Sequence, residues 1–321
     1  MPFSPNPDAV VECVPNFSEG ADSAIVTRIV AAMRHDRVRL LDWSLDPAHN
    51  RSVVTLAGPP ADVLESAVRG AGRAAALIDL TRQRGVHPRI GAADVIPFVP
   101  VSGISLAECA LLARQAGIEI WRRFGVPVFF YEAAAARPDR VRLEDVRRGQ
   151  FEGLREAVMR DPARRPDVGG PELHATAGAT AVGARPFLIA YNIYLAPPEG
   201  APGQLPATPD IATARAIARA IRDSAGGLNG VKAIGVTAHG RAQVSMNLTD
   251  FHATPVRQVH AAVRELARSH GARIAEGELI GLIPSQAWDP QAEWVREIPG
   301  FDPDSKVLER KLQHPMAWPE P

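Results

Sequence analysis

One order of hydrophobic periods governs this chain, and it occurs twice. Residues 10–15 alternate as a strand does, residues 21–34 recur at helical spacing, and residues 38–45 and 52–57 return to strand-like runs. Residues 60–80 then read as a long helix. Val63, Leu64, Ala67, Val68, Ala71, Ala75 and Ile78 form its stripe, and Pro59-Pro60 marks its start. A strand over 95–101 closes the set as β-α-β-β-α-β, and a helix over 106–124 with a strand over 126–131 extends it. The second run opens with a strand over 187–195 and a Pro-rich stretch over 196–209. A helix over 211–224 follows, stopped by Ala225-Gly226-Gly227, whose glycines permit a left-handed cap. Strands over 231–236 and 243–247 form a hairpin across 237–241. A helix over 255–270 carries Val256, Val259, Val263 and Leu266 on one face, and a strand over 272–276 ends the repeat.

The expected fold class is therefore α+β, with two ferredoxin-like domains, each a mixed or antiparallel sheet with helices on one face. The expected domains are residues 10–180 and 181–288. Residues 289–321 form a tail with Pro, Trp and charges but no clear period.

Composition narrows the function classes. A chain of 321 residues with 46% apolar content can bury two compact cores. Its 36 basic and 36 acidic residues balance, so nothing electrostatic points to nucleic acid or an anionic membrane. No apolar run reaches the roughly 18 residues that span a bilayer. The first residues lack the basic and apolar regions of a secretory signal, and a cytoplasmic location is expected. Cys13 and Cys109 give no disulfide framework, and no cluster of His, Cys or carboxylates has zinc-binding spacing, so no metal is expected.

The chemistry-bearing residues lie in connections between elements. His87 stands in Arg84-Gly85-Val86-His87-Pro88-Arg89-Ile90-Gly91-Ala92-Ala93-Asp94, where Pro88 restricts it and arginines flank it. A stiffly held imidazole that titrates near neutrality suits general acid–base work. His49 lies beside Arg51 at a strand-to-strand connection. Arg51, Arg89 and Arg185 are candidate carboxylate clamps, because a guanidinium binds a carboxylate through two parallel hydrogen bonds. Asn16, Ser18, Gln243 and Asn247 can supply neutral hydrogen bonds, and the even spacing of the last two puts them on one strand face. Cys13 reads either as a small buried hydrophobe or as a nucleophile. His35, His260 and His270 read as structural.

Five strings tie these residues to a known family. They are Val11-Glu12-Cys13-Val14-Pro15-Asn16-Phe17-Ser18-Glu19-Gly20, His49-Asn50-Arg51-Ser52-Val53, the His87 segment above, Gly178-Ala179-Thr180-Ala181-Val182-Gly183-Ala184-Arg185-Pro186-Phe187, and Ala242-Gln243-Val244-Ser245-Met246-Asn247-Leu248. Together they resemble the formiminotransferases, without a cyclodeaminase part. The resemblance implies formimidoyl transfer between amines, tetrahydrofolate as co-substrate, small-molecule ligands and a homodimer. It implies His87 as the catalytic proton carrier. It also implies a folate-contacting loop over 167–176, with Asp167, Gly169, Gly170 and Thr176 as its candidates.

The chain departs from the family pattern at Ser44 and Val86, where acids are usual, and at Tyr194, where Asn is usual. These departures imply an altered pocket and a changed substrate, such as an amine of a specialised metabolite. The alternative is ordinary transfer from formiminoglutamate to tetrahydrofolate. A third reading is a non-catalytic ligand-binding protein on the same scaffold.

Overall fold

The computed structural model describes residues 6, 8–47, 49–85, 87–198 and 211–320. Val86 and most of the Pro-rich stretch after residue 196 lie outside the described residues. The chain forms two compact units. One holds the residues up to Arg185 together with those from Pro315 onward, and the other is Pro186–His314.

The first unit runs β1 (Val10–Cys13), β2 (Asn16–Phe17), α1 (Ser23–Ala32), β3 (Arg39–Asp46), β4 (Arg51–Gly58), α2 (Pro60–Leu77) and β5 (Ala93–Ser102). It continues through α3 (Leu106–Phe124), β6 (Val128–Glu132), α4 (Leu143–Val146), α5 (Gln150–Arg160) and β7 (Thr180–Ala184). β1 and β2 both lie between β4 and β5, antiparallel to each. They are one line of chain broken at Val14-Pro15, since proline has no N–H to donate to a ladder. The sheet therefore reads β3, β4, β1 with β2, β5, β7, β6. The last two pairings, β5 with β7 and β7 with β6, are parallel.

The helices follow their local chemistry. Asp22 caps α1 by accepting from the backbone N–H groups of Ala24 and Ile25. Ser105 and Glu108 form a reciprocal capping box at the start of α3, and Gly125 ends that helix at φ 63°. The stripe expected on α2 is the one that packs: Val63, Leu64, Ala67, Val68 and Ala71 are all buried, with Phe17, Ile29 and Phe98 in the same core.

Of the elements of this unit that are absent from the period reading, β7 and α5 are the longest. β7 is made of small residues and is buried along its whole length, so it shows no alternation. A Cβ on its Gly183 would stand 2.5 Å from the Tyr131 ring. α5 buries Phe151, Leu154 and Val158, a short stripe in an otherwise polar segment.

The second unit runs β8 (Ile189–Ala196), α6 (Ile211–Ile221), β9 (Val231–Ala238), β10 (Arg241–Leu248), α7 (Val256–Ser269) and β11 (Arg273–Ile280). Its sheet order is β11, β8, β10, β9, and every pairing is antiparallel. Tyr191, Ile193, Val244 and Met246 point into the core with Ile217, Val259 and Val263 from the helices. The tail beyond Pro290 carries three short helices, α8 (Glu293–Arg296), α9 (Pro303–Lys306) and α10 (Leu308–Lys311). Trp294 is buried edge-on to Tyr191, with ring centroids 5.8 Å apart. Val307 and Leu308 are buried in the same unit, and further on Met316 bridges Leu40 of β3. Among the described residues no helix is long and apolar enough to cross a membrane.

Candidate active site

Two connections of the first unit are stapled together around His87. The loop from β3 to β4 carries His49 and Asn50, and Asn50 adopts φ 50°, which asparagine tolerates better than most residues. The Asn50 side chain donates to the Arg84 carbonyl at 2.7 Å and accepts from the Gly20 N–H at 2.9 Å. Gln83 donates to the Asn50 carbonyl at 3.0 Å. The approach is close enough that a Cβ on Gly85 would stand 2.5 Å from the His49 carbonyl oxygen. On the far side of the turn, Gly91 bridges Gly178, and a Cβ on Gly91 would stand 2.0 Å from the Ala179 carbonyl oxygen. Glycine is needed at Gly91 by this backbone contact, which joins two of the signature strings.

Within this frame, Nη1 of Arg51 lies 2.5 Å from Nε2 of His87. A guanidinium is all donor, so Nε2 is the accepting, proton-free nitrogen. The His49 ring stands edge-on to His87 at 6.3 Å, and its Nδ1 lies 2.5 Å from Asp46. Asp94 is buried, accepts from the Ile90 N–H at 2.7 Å and pairs with Arg147.

These neighbours set the protonation states. Burial, then the cations Arg51 and Arg147, push His87 down to about 4, and Asp94 opposes them. Burial and Arg147 lower Arg51 to about 10, so it stays charged at neutral pH. The result is a neutral imidazole beside a cation. Phe17, Ser18, His49, Asn50, Arg51, His87, Arg89 and Asp94 line a tight, narrow cleft.

The other candidates from the sequence divide sharply. Arg89 is buried and its donors are committed: to Gln83 Oε1 at 2.5 Å, to both Glu152 carboxylate oxygens, and to the carbonyls of Leu80 and Gln83. It braces the His87 turn rather than offering a fork to a ligand. Ser18 donates to the Gly91 carbonyl at 2.7 Å, and Asn16 donates to the Val14 carbonyl at 2.7 Å. Arg185 is half-buried at the end of β7, where its charge acts on Cys13 and Tyr131. Ser44 is exposed on β3.

Cys13 requires correction. It is fully buried in the first core, and burial raises its thiol well above the ordinary range, so it is neither reachable nor a thiolate. The hydrophobe reading fits this environment and the nucleophile reading does not.

The expected folate loop is also tied down. Both Asp167 oxygens are used, one facing Arg140 at 2.6 Å and one accepting from the Phe130 N–H at 2.8 Å. A Cβ on Gly169 would stand 2.4 Å from the Trp121 ring, Gly170 adopts φ 87°, and the Thr176 carbonyl accepts from Leu80. Packing on the first unit accounts for Asp167 and Gly169.

In the second unit, Tyr194 and Gln243 face each other across β8 and β10. Asn192, Tyr194 and Gln243 all donate to one oxygen of Glu278, at 3.0, 3.5 and 3.3 Å. Asn247 lies four positions along the same strand face and is exposed. Arg147 and Glu278 carried no sequence signal, since neither sits in a recognisable string and their partners are far away in the chain.

Residues 10–185 match the model of the formiminotransferase domain, N-terminal subdomain, and residues 205–309 match that of the formiminotransferase domain. The chain is 40% identical over 306 residues to a glutamate formimidoyltransferase of Streptococcus pyogenes serotype M1, covering 94% of this chain and 98% of that one. It is 40% identical over 310 residues to a glutamate formimidoyltransferase of Thermoplasma acidophilum, covering 95% and 98%. The formimidoyltransferase-cyclodeaminase of Gallus gallus is 38% identical over 294 residues, which span 89% of this chain and 52% of that protein. With two family models covering most of its length and full-length relatives at this identity, the chain belongs to the formiminotransferase family of one-carbon transferases.

Proposed function

We propose that the protein transfers the formimidoyl group of formiminoglutamate to tetrahydrofolate, its co-substrate, with His87 carrying the proton. The observation that carries this reading is the neutral His87 imidazole held beside Arg51 in the small cleft. The acceptor amine nitrogen attacks the amidine carbon and forms a C–N bond. Its proton passes to Nε2 of His87. The tetrahedral intermediate then breaks its bond to the glutamate nitrogen, and His87 returns the proton to that leaving amine. One group serves first as base and then as acid. We also read both sheets as ferredoxin-like: in each, the fourth strand of the six-element run lies beside the first, the first beside the third, and the third beside the second.

The changed-substrate reading rested on Ser44, Val86 and Tyr194. Among the described residues of the first unit that line the cleft around His87, Ser44 is absent. Near-full-length similarity to proteins named glutamate formimidoyltransferase supports the ordinary substrate pair instead. Purified protein given formiminoglutamate and tetrahydrofolate is expected to release glutamate. No release with both substrates at saturation sinks this reading and returns attention to other amines.

The pH profile offers a second check. A base pushed down to about 4 stays proton-free across the neutral range and is lost only as pH falls toward that value. kcat/KM reports the free enzyme, so it should hold level from about pH 7 down to about pH 5 on account of His87. A decline centred near about pH 6.5, the ordinary histidine value, contradicts the buried cationic setting.

A further inference from the structure

Arg51 presents a conflict that the reaction must resolve. Its Nη1 donates to the same His87 nitrogen that has to take the substrate's proton. A lone pair engaged by a guanidinium N–H is not available to an amine. Removing that contact needs a better acceptor for Arg51, and a carboxylate is one, since hydrogen bonds between ionised partners are roughly twice as strong as neutral ones. Arg51 is also under-used where it stands, because its buried Nε has no hydrogen-bond partner.

We propose that Arg51 is a gate on His87: a carboxylate of the anionic substrate draws the guanidinium off Nε2 and so frees the base only when that substrate is bound. This rests on the proposed role of His87 and specifies how the site selects its substrate. A formimino compound without a carboxylate could reach the cleft yet find the lone pair blocked.

The surrounding charges favour such a gate. Arg147 is paired with Asp94, which in turn is fixed by the Ile90 N–H, so that pair is internally balanced. Asp46 is in contact with His49, whose ring flanks His87. Arg51 is the cation in contact with the imidazole itself. Moving it onto a substrate carboxylate removes a positive charge from the imidazole and adds a negative one nearby. Both changes favour the protonated form, so the base gains strength as it is uncovered.

The test is an NMR titration of the His87 ring in the full-length protein, with and without L-glutamate as probe. The ring should titrate near about 4 alone and shift upward by about one unit or more with saturating glutamate. In Arg51→Met, the ring should titrate higher than in the parent without glutamate, and glutamate should no longer move it. An unchanged His87 titration at every glutamate concentration overturns the gate. So does an equal shift in Arg51→Met, which would mean a through-space effect of the anion. Should Arg51→Met fail to fold, Arg51→Gln takes its place in the same comparison. No turnover is needed, so a failed formimino-transfer assay sinks the proposed reaction without touching this result.

Discussion

Replacing His87 with glutamine is expected to lower turnover by about 10²–10⁴-fold, the usual worth of a positioned proton carrier. Glutamine can still accept from Arg51, so the contact that fills the cleft is kept while the titrating nitrogen is lost. The fold should be unaffected, because the turn is held by other residues: the Asn50 and Gln83 hydrogen bonds, and the Arg89 contacts with Glu152 and the Leu80 and Gln83 carbonyls. Turnover at saturating substrate and a thermal melt measured together separate the two effects. His49→Gln is the informative control. His49 is the other imidazole near the cleft, but it is more exposed and already in contact with Asp46. A smaller loss in His49→Gln than in His87→Gln supports the assignment. Near-normal turnover in His87→Gln with a large loss in His49→Gln would move the proton to His49.

Which parts of this molecule could be read from the chain follows from the range of the forces involved. α3 was legible from its local helical period, and the capping box and closing glycine that bound it in the structure are equally local. The β3–β4 hairpin was legible because alternation and turn lie within one short stretch. β7 was not, since a short strand of small residues flanked by parallel neighbours has neither alternation nor bulk to announce it. His87 stood out through its proline and its string. Arg147 did not, although its charge reaches both Arg51 and His87, because its partner Asp94 is 53 residues away in sequence. Arg89 was conspicuous in a signature string and Asp167 in the loop that the resemblance implied, both as ligand contacts. What the chain could not show is that both carry extensive contacts to the protein itself. Burial decides such cases, and burial is a property of the folded whole.

That distinction has its largest measurable consequence at Asp167. Its carboxylate faces Arg140 at 2.6 Å, with side chains only 8% and 5% exposed. Nη1 of Arg140 makes no aligned hydrogen bond there, so charge rather than direction holds the pair. Arg140 also lies over the Phe129 ring and donates to the carbonyls of Ala163 and Arg165. It cannot swing into water without breaking those contacts. Asp167→Ala should therefore strand a buried cation and cost about 3–5 kcal/mol, the range for breaking a buried pair by removing one partner. The loss of the bond to the Phe130 N–H adds to the same defect. Replacing both partners, with Arg140→Met and Asp167→Leu, should recover part of the stability, because no charge is then stranded, while the Phe130 N–H and the Ala163 and Arg165 carbonyls stay without these partners. Urea midpoints for the parent, the single variant and the double variant test this directly. A folate contact predicts the reverse pattern: little change in stability, weaker folate binding in Asp167→Ala, and no rescue in the double variant.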